Sequence, residues 1–258
     1  MITDEQIKQT YSAGLNRTKV AQQLGISEKR VRKVLRGQFR TREQYQVLIN
    51  KHNEHLLTEQ RLQCILGTLL GDSSLFYNRG IPVLQFSHCK KQYEYAEYKR
   101  LIIGAPPLLA LVKGKGSYSE GSIYYRMCYN NKACLDKIAE LVLINGKKTL
   151  NERWLNAIKP EAIAYWFMDD GSSTFINKSY PKVDITFATL GYDLNEVMML
   201  IEKLSSLNII SNKHRHPDGF GYNIRISRRS TNYFMDLVKP YICQSMLYKI
   251  KYSTYKIN

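Results

Sequence analysis

One pattern constrains this chain more than any other: it repeats itself at an offset of about one hundred residues. Residues 62–75 read LQCILGTLLGDSSL and residues 160–173 read PEAIAYWFMDDGSS. Each is an apolar helical run that ends in an aspartate followed by small residues, and these aspartates, Asp72 and Asp170, lie 98 positions apart. Further on, Arg126 in YYRM parallels Arg225 in NIRI at an offset of 99, and Lys148 parallels Lys249 at 101. Three correspondences at a nearly constant offset point to a duplicated unit, and searching for such periods early prevents the whole fold from being misread.

Apolar alternation and turn residues predict one order of elements for both copies. The first copy reads as helix 59–71, strands near 74–78 and 82–88, helix 92–103, strands near 109–118 and 122–129, and helix 132–144. The second reads as helix 160–169, strands near 173–177 and 182–188, helix 193–206, strands near 209–216 and 221–227, and helix 230–239. Gly80, Pro82, Gly114, Gly116, Gly121, Pro181, Gly191, Gly219 and Gly221 punctuate the turns. The expected class is α+β, with one αββαββα order in each of two halves, 58–150 and 151–258.

Ahead of the repeat, residues 1–37 read as three short helices. Thr3 caps the first and Gly14 ends it. The second runs from about Arg17 to Leu24, with Val20, Ala21 and Leu24 on one face. Gly25 makes the turn, Ile26 plugs the core and Ser27 caps the third helix, where Val31, Val34 and Leu35 face inward. A small residue followed four positions later by glycine permits a tight helix crossing, the pattern of a helix-turn-helix. Residues 28–42 hold seven Lys/Arg and one acid. A run of this kind on the helix that would enter a major groove points to DNA, with Arg30, Arg32, Lys33 and Arg36 as the contacts. Residues 38–57 read as a polar helical linker.

Charge agrees with a polyanionic partner. The chain carries 38 Lys+Arg against 22 Asp+Glu, a formal net charge of +16 over 258 residues. The polar, acidic start (Met1-Ile2-Thr3-Asp4-Glu5) is no secretory signal, and no apolar run approaches membrane-spanning length. Five scattered cysteines without C-x-x-C spacing read as reduced thiols. A cytoplasmic or organellar protein is expected, not a secreted one.

Gly67 and Gly71 stand four apart on one face of the first apolar helix. Glycine costs a helix about 1 kcal/mol relative to alanine, so their presence suggests a close backbone approach by another helix. Ala162 and Ala164 serve similarly in the second. Two such helices packed side by side bring their terminal aspartates together. The runs ILGTLLGDS (65–73) and IAYWFMDDG (163–171), with the closing segments Lys239-Pro240-Tyr241-Ile242 and Met246-Leu247-Tyr248-Lys249, resemble the paired motifs of the LAGLIDADG homing endonucleases. The resemblance covers 58 to about 252. Ser73 stands where the first motif ends in glycine, and Tyr165 where the second has one.

The resemblance implies a monomer of two pseudo-symmetric halves whose saddle-like antiparallel sheets lie along the major groove of a long, pseudo-palindromic or asymmetric double-stranded DNA site. It implies that the motif helices form the interface and that the two acids meet over the minor groove. The penultimate motif position is the metal ligand, which assigns Asp72 and Asp170, not Asp169, to Mg2+ or another divalent cation. Lys148 and Lys249 match positions flanking the active sites, and Gln85 matches a polar position near a scissile phosphate. A divalent metal neutralises phosphate charge and activates water, and magnesium favours a sparse carboxylate set. The two lysines would add positive charge beside the reacting phosphate.

Residues 203–258 contain ten Lys/Arg and two acids with tyrosines interleaved, a composition suited to phosphate contacts from a sheet. His214 and His216 are too few for a metal site. With Lys213 and Arg215 beside them they read as a DNA-facing edge, and Arg126, Arg225 and Arg228 join the DNA-contact set. Two functions compete: a site-specific endonuclease that mobilises its own intron or intervening sequence, and a non-cleaving nucleic-acid binder on the same scaffold, either an RNA maturase or a transcription regulator. Two acids and two lysines favour the first. A plain helix-turn-helix repressor would leave some 200 residues without a role.

Overall fold

Each half is built from short alternating strands whose apolar side chains fall on one face. In the computed structural model, which describes residues 2–12, 17–35, 57–114, 121–176 and 182–253, the chain divides into two compact units, 1–57 and 58–258.

The first unit has α1 (Asp4–Ser12), α2 (Arg17–Leu24) and α3 (Glu28–Val34). Thr3 and Gln6 cap α1 reciprocally, the Gln6 amide donating to Thr3 Oγ1 at 3.2 Å and the Thr3 amide to Gln6 Oε1 at 2.8 Å. Gly25 turns the chain at φ +61°, and Ser27 accepts the Arg30 amide at 3.3 Å to start α3. Ile7, Tyr11, Val20, Ala21, Val31 and Leu35 form the core, with Leu24, Ile26 and Val34 against it. The linker expected at 38–57 lies outside the described residues except for Leu57, and so do Gly14 and Arg36.

The second unit begins with α4 (Glu59–Leu70), capped by Thr58. Then follow β1 (Ser74–Asn78), β2 (Ile81–Cys89), α5 (Tyr93–Ile103), β3 (Leu109–Val112), β4 (Ile123–Tyr129) and α6 (Lys132–Val142). A two-residue hairpin, β5 (Leu143–Ile144) and β6 (Lys147–Lys148), and α7 (Glu152–Ala157) lead to the second copy. That copy comprises α8 (Pro160–Asp170), β7 (Gly171–Phe175), β8 (Val183–Phe187), α9 (Leu194–Ser206), β9 (Ser211–Arg215), β10 (Tyr222–Ile226) and α10 (Thr231–Val238). A 3-10 segment, Gln244–Lys249, follows.

The two sheets have the same antiparallel order, β1-β2-β4-β3 and β7-β8-β10-β9, so the duplication read from the sequence is a duplication of fold. Helices α5 and α6 cover one face of the first sheet and α9 and α10 one face of the second, leaving the other faces open. Helix α8 is buried on every side from Ala162 to Met168, as expected of a helix that is apolar all round. Trp166, Phe167, Phe187 and Phe234 pack as an aromatic cluster with ring centroids 4.1–5.8 Å apart. No helix among the described residues is long and apolar enough to cross a membrane.

Three details differ from the expected elements. The helix expected to reach residue 144 ends at Val142, because Asn145 and Gly146 both adopt positive φ (52° and 75°) and fold the chain into a tight hairpin. Helix α7 was not foreseen. Asn151 caps it through the Trp154 amide, and it buries Trp154 and Leu155. Strands β3 and β9 are shorter than expected, ending at Val112 and spanning Ser211–Arg215.

Candidate active site at the joint of the two halves

Helices α4 and α8 form the principal helix–helix contact of the second unit. A methyl group on Gly67 would overlap the Ala162 backbone, and one on Gly71 would collide with the Asp169 side chain. Glycine at both positions is what lets the two backbones meet. At the end of this joint the chain delivers four groups to one place: Asp72 just beyond α4, Asp170 as the last residue of α8, Lys148 on β6 and Lys249 on the 3-10 segment.

The lysines terminate the helices. Lys148 Nζ donates to the carbonyls of Leu69 (2.9 Å) and Ser73 (3.2 Å), at the end of α4. Lys249 Nζ donates to Phe167 (3.2 Å), Met168 (2.5 Å), Asp169 (3.4 Å) and Gly171 (2.8 Å), at the end of α8. A cation is favoured there because the last carbonyls of a helix lack intrahelical partners and carry partial negative charge. Lys148 is an exposed residue, yet its ammonium is bound to these two carbonyls.

The acids do not ionise freely. Burial, then the charges of Asp72 and Asp169, push the Asp170 carboxyl up to about 7 against the opposing pull of Lys249 and Lys148. Burial and Asp169 also raise Asp72, whose side chain is 38% exposed. Burial lowers both lysines, with Asp170 opposing at Lys148 and Asp169, Asp72 and Asp170 opposing at Lys249. A crowded carboxylate pair of this kind is eased by a cation.

Asp169 occupies a different environment. Its side chain is fully buried, and its oxygens accept from Lys99 Nζ (2.8 Å), Tyr95 OH (2.7 Å) and Thr68 Oγ1 (2.7 Å). Burial opposes its ionisation, but Lys99 and His88 outweigh that and hold the carboxyl below its ordinary value. His88 lies between the acids, Nδ1 3.7 Å from Asp72 and Nε2 4.0 Å from Asp169. Burial and Lys99 lower it to about 4, so its ring is neutral near pH 7. Ligand atoms of Asp72, His88 and Asp169 come within 4.8 Å of one another. Both Asp169 oxygens already have protein donors, however. Asp72 and Asp170 bring further carboxylate oxygens to this place, and such oxygens suit a hard ion.

Two halves of one topology, joined by close-packed helices with an acid at each end, limit the families to which the chain can belong. The model of the LAGLIDADG DNA endonuclease family matches residues 62–234. The chain belongs to this family. Among solved structures, the homing endonuclease I-WcaI bound to its DNA recognition sequence superposes with a TM-score of 0.66 at 25% identity, over 80% of this chain and 93% of that one. A protein called probable intron-encoded endonuclease 1 from Wickerhamomyces canadensis is 28% identical over 223 residues, 80% of this chain and 91% of its own length. A Mycobacterium shimoidei chain called Protein RecA is 28% identical over 217 residues, 76% of this chain. The chain spans about half the length of the RecA relatives it matches, 47% in this case. A cytochrome b mRNA maturase bI2 from Debaryomyces hansenii is 27% identical over 215 residues, 75% of this chain and 74% of its own.

The remaining candidate residues of this LAGLIDADG chain lie on its open surfaces. Gln85 pairs with Ser74 and Cys128, and Arg126 with Ser87, placing all five on the open face of the first sheet. Arg126 donates to Tyr124 OH at 3.2 Å. On the second sheet Arg225 pairs with Thr186 and Asn212, and His214 with Asn223, on the open face. Lys213 and Arg215 pair instead with Ile224 and Tyr222, so their Cβ atoms leave the opposite face of an exposed edge strand. Arg228 reaches Asp184 at 3.4 Å. In the first unit Arg32 and Lys33 are exposed, whereas Arg30 donates to the Ile2 carbonyl. Sequence reasoning missed Thr68, Tyr95, Lys99 and His88. A signal existed for one of them: Lys99 continues the inward stripe Tyr95, Ala96, Ile103 of α5.

Proposed function

We propose that this chain is a site-specific, double-strand DNA endonuclease that hydrolyses phosphodiesters with a divalent cation held by Asp72 and Asp170. The carrying observation is the pair of mutually repelling carboxylates at the ends of the two motif helices. When bound, the cation supplies neutralisation of phosphate charge and an acidified water. The chain's own residues do the rest. Asp72 and Asp170 present oxygens from the two halves toward one point, which suits two cuts in two strands. Lys148 and Lys249 hold the helix ends and keep positive charge beside the acids. The open sheet faces, with Gln85, Arg126, Arg225 and Arg228, offer hydrogen bonds and charge to a duplex. The DNA-bound I-WcaI structure and the intron-encoded relative support this reading and an origin in a mobile intron or intervening sequence.

The first unit is read as a helix-turn-helix that adds DNA contacts through Arg32 and Lys33 on α3 and Arg36 beyond it. Both halves lie in one chain, so the active form is a monomer and its site is not a perfect palindrome.

The test is incubation with a random-site DNA library and Mg2+, followed by sequencing of cut ends. Recurrent ends at one long site support the reading. Intact DNA at every metal and enzyme concentration overturns it. The maturase relative favours a second reading, RNA splicing on the same scaffold. Accelerated splicing of a host intron without DNA cleavage would establish that one instead.

A further inference from the structure

The two acids are not held alike. Asp170 is the last residue of α8, so the helix ladder itself sets its backbone. Asp72 lies two residues beyond Leu70, the last residue of α4, after Gly71 has turned the chain out of the helix (φ −105°, ψ −122°). Something else must fix its position.

The structure shows what does. On one side of Asp72, its own amide donates to Asp169 Oδ2 at 3.4 Å. On the other, the Ser73 amide donates to the Thr68 carbonyl (2.9 Å) and Ser73 Oγ lies 2.9 Å from Thr68 Oγ1. Thr68 Oγ1 donates to Asp169 Oδ2 at 2.7 Å and accepts from Lys99 Nζ at 2.9 Å. Lys99 Nζ and Tyr95 OH both donate to Asp169 Oδ1 (2.8 and 2.7 Å). Lys99 and the Asp169 side chain are fully buried, so these bonds act where water does not compete.

Among the described residues the second copy shows no equivalent. At the 98-residue offset Trp166 stands in the place of Thr68 and Gly171 in that of Ser73. On α9 the buried positions Val197, Leu200 and Leu204 match Ala96, Lys99 and Ile103 of α5, so Leu200 stands in the place of Lys99. A buried Lys–Asp pair costs desolvation on both ions and is weak evidence for stability by itself. Its presence in one half alone calls for a local reason, and the free-standing turn at Asp72 provides one.

We propose that Thr68, Tyr95, Lys99 and Asp169 form a one-sided clamp of positioning residues that sets the Asp72 carboxylate against Asp170. The inference rests on the endonuclease reading above, and the two cuts depend on the clamp unequally. Misplacement of a reacting group by about 1 Å costs on the order of 100-fold in rate.

The test uses the full chain and a supercoiled plasmid carrying the site selected from the random library. Thr68→Val removes the hydroxyl at nearly constant volume, Thr68→Ser restores it, and the double variant Lys99→Met/Asp169→Asn removes the ion pair without leaving a lone charge. Single-turnover rates are measured for each strand at saturating enzyme, with DNA affinity measured without metal, melting temperature, and amide hydrogen exchange at residues 71–73. Thr68→Val is expected to keep DNA affinity close to wild type and to lower the melting temperature, because buried Lys99, Asp169 and Ser73 each lose a partner. Its cutting of one strand should slow about 10- to 100-fold more than the other, so that nicked circles accumulate, with faster exchange at Asp72 and Ser73. Thr68→Ser should restore both readouts. Equal strand rates and unchanged exchange in Thr68→Val and the double variant overturn the clamp while leaving the endonuclease reading intact. If wild-type protein cuts nothing, the endonuclease reading fails, and unchanged exchange in Thr68→Val overturns the clamp independently.

Discussion

Lys249 donates its ammonium to the carbonyl of Met168 at 2.5 Å, two residues before Asp170. A residue from the final 3-10 segment thus closes the helix that carries Asp170, and three more carbonyls share the same ammonium. Lys249→Met should leave these carbonyls without a donor, costing roughly 1–3 kcal/mol in urea unfolding, and should slow cleavage of at least one strand. Lys249→Arg should rescue poorly, because four converging carbonyls suit a compact ammonium better than a planar fork. Wild-type stability and cleavage in Lys249→Met would remove the lysine from the site.

Asp170 is expected to make the metal-free protein less stable as pH rises. Its folded carboxyl titrates at about 7, above the unfolded value near 4. Between those limits the unfolded state has lost its proton while the folded state retains it, so stability falls as pH climbs from about 4 to 7. Asp170→Asn should therefore raise metal-free stability at pH 8 by on the order of 1–3 kcal/mol, with little change at pH 4. The same variant should lose the thermal stabilisation that Mg2+ gives the wild type. Melting curves at several pH values, with and without Mg2+, check both signs.

Cleavage should need both acids, whereas binding should need neither. Asp72→Asn and Asp170→Asn keep side-chain shape and lose the charge proposed to hold the cation. Each should abolish cutting of at least one strand with DNA affinity retained, as read on denaturing gels and by anisotropy. Wild-type rates in either variant, with metal present, would sink its assignment.

Gly67→Ala places a methyl group inside the Ala162 backbone. Neither backbone can yield without moving a whole helix, so a cost of about 1–3 kcal/mol or more is expected. The acids should move apart with the helices. Expected outcomes are a lower melting temperature and a cleavage defect larger than the loss of DNA affinity.

Deleting residues 1–57 should shorten the DNA footprint on one side and lower the salt dependence of binding, because fewer phosphates are neutralised. Cleavage should persist at high enzyme concentration, since every proposed catalytic group lies after residue 57. An unchanged footprint and salt slope would mean that α3 presents only a solvated basic face.

Much of this architecture was legible because duplication writes the same physics twice. Asp72 and Asp170 at one offset, glycines four apart at Gly67 and Gly71, and alternating strands gave the halves, the joint and the paired acids. What stayed hidden depends on three-dimensional partners. Lys99 continues the inward stripe of α5, but the partner that accounts for a buried ammonium there, Asp169, comes from another helix 70 positions away. Lys213 and Arg215 are basic in an exposed strand, but register alone determines which face they leave. Leu143 and Ile144 continue the apolar spacing of the preceding helix and read as its end, although Asn145-Gly146 directly after them is a hairpin turn signal.

The contact of Gly67 with Ala162 also bears on how such a chain can be rebuilt. A joint with no room for a methyl group behaves like a keyed coupling: each half accepts only a counterpart cut to the same key. The open sheet faces can be rewritten one position at a time, since their side chains alternate with the buried ones and point away from the core. A graft of a whole half must carry its side of the coupling unaltered, 63–73 or 160–171, or take both sides from one parent. Hybrids that respect this should differ in what they grip and still close on the same geometry where the two acids meet.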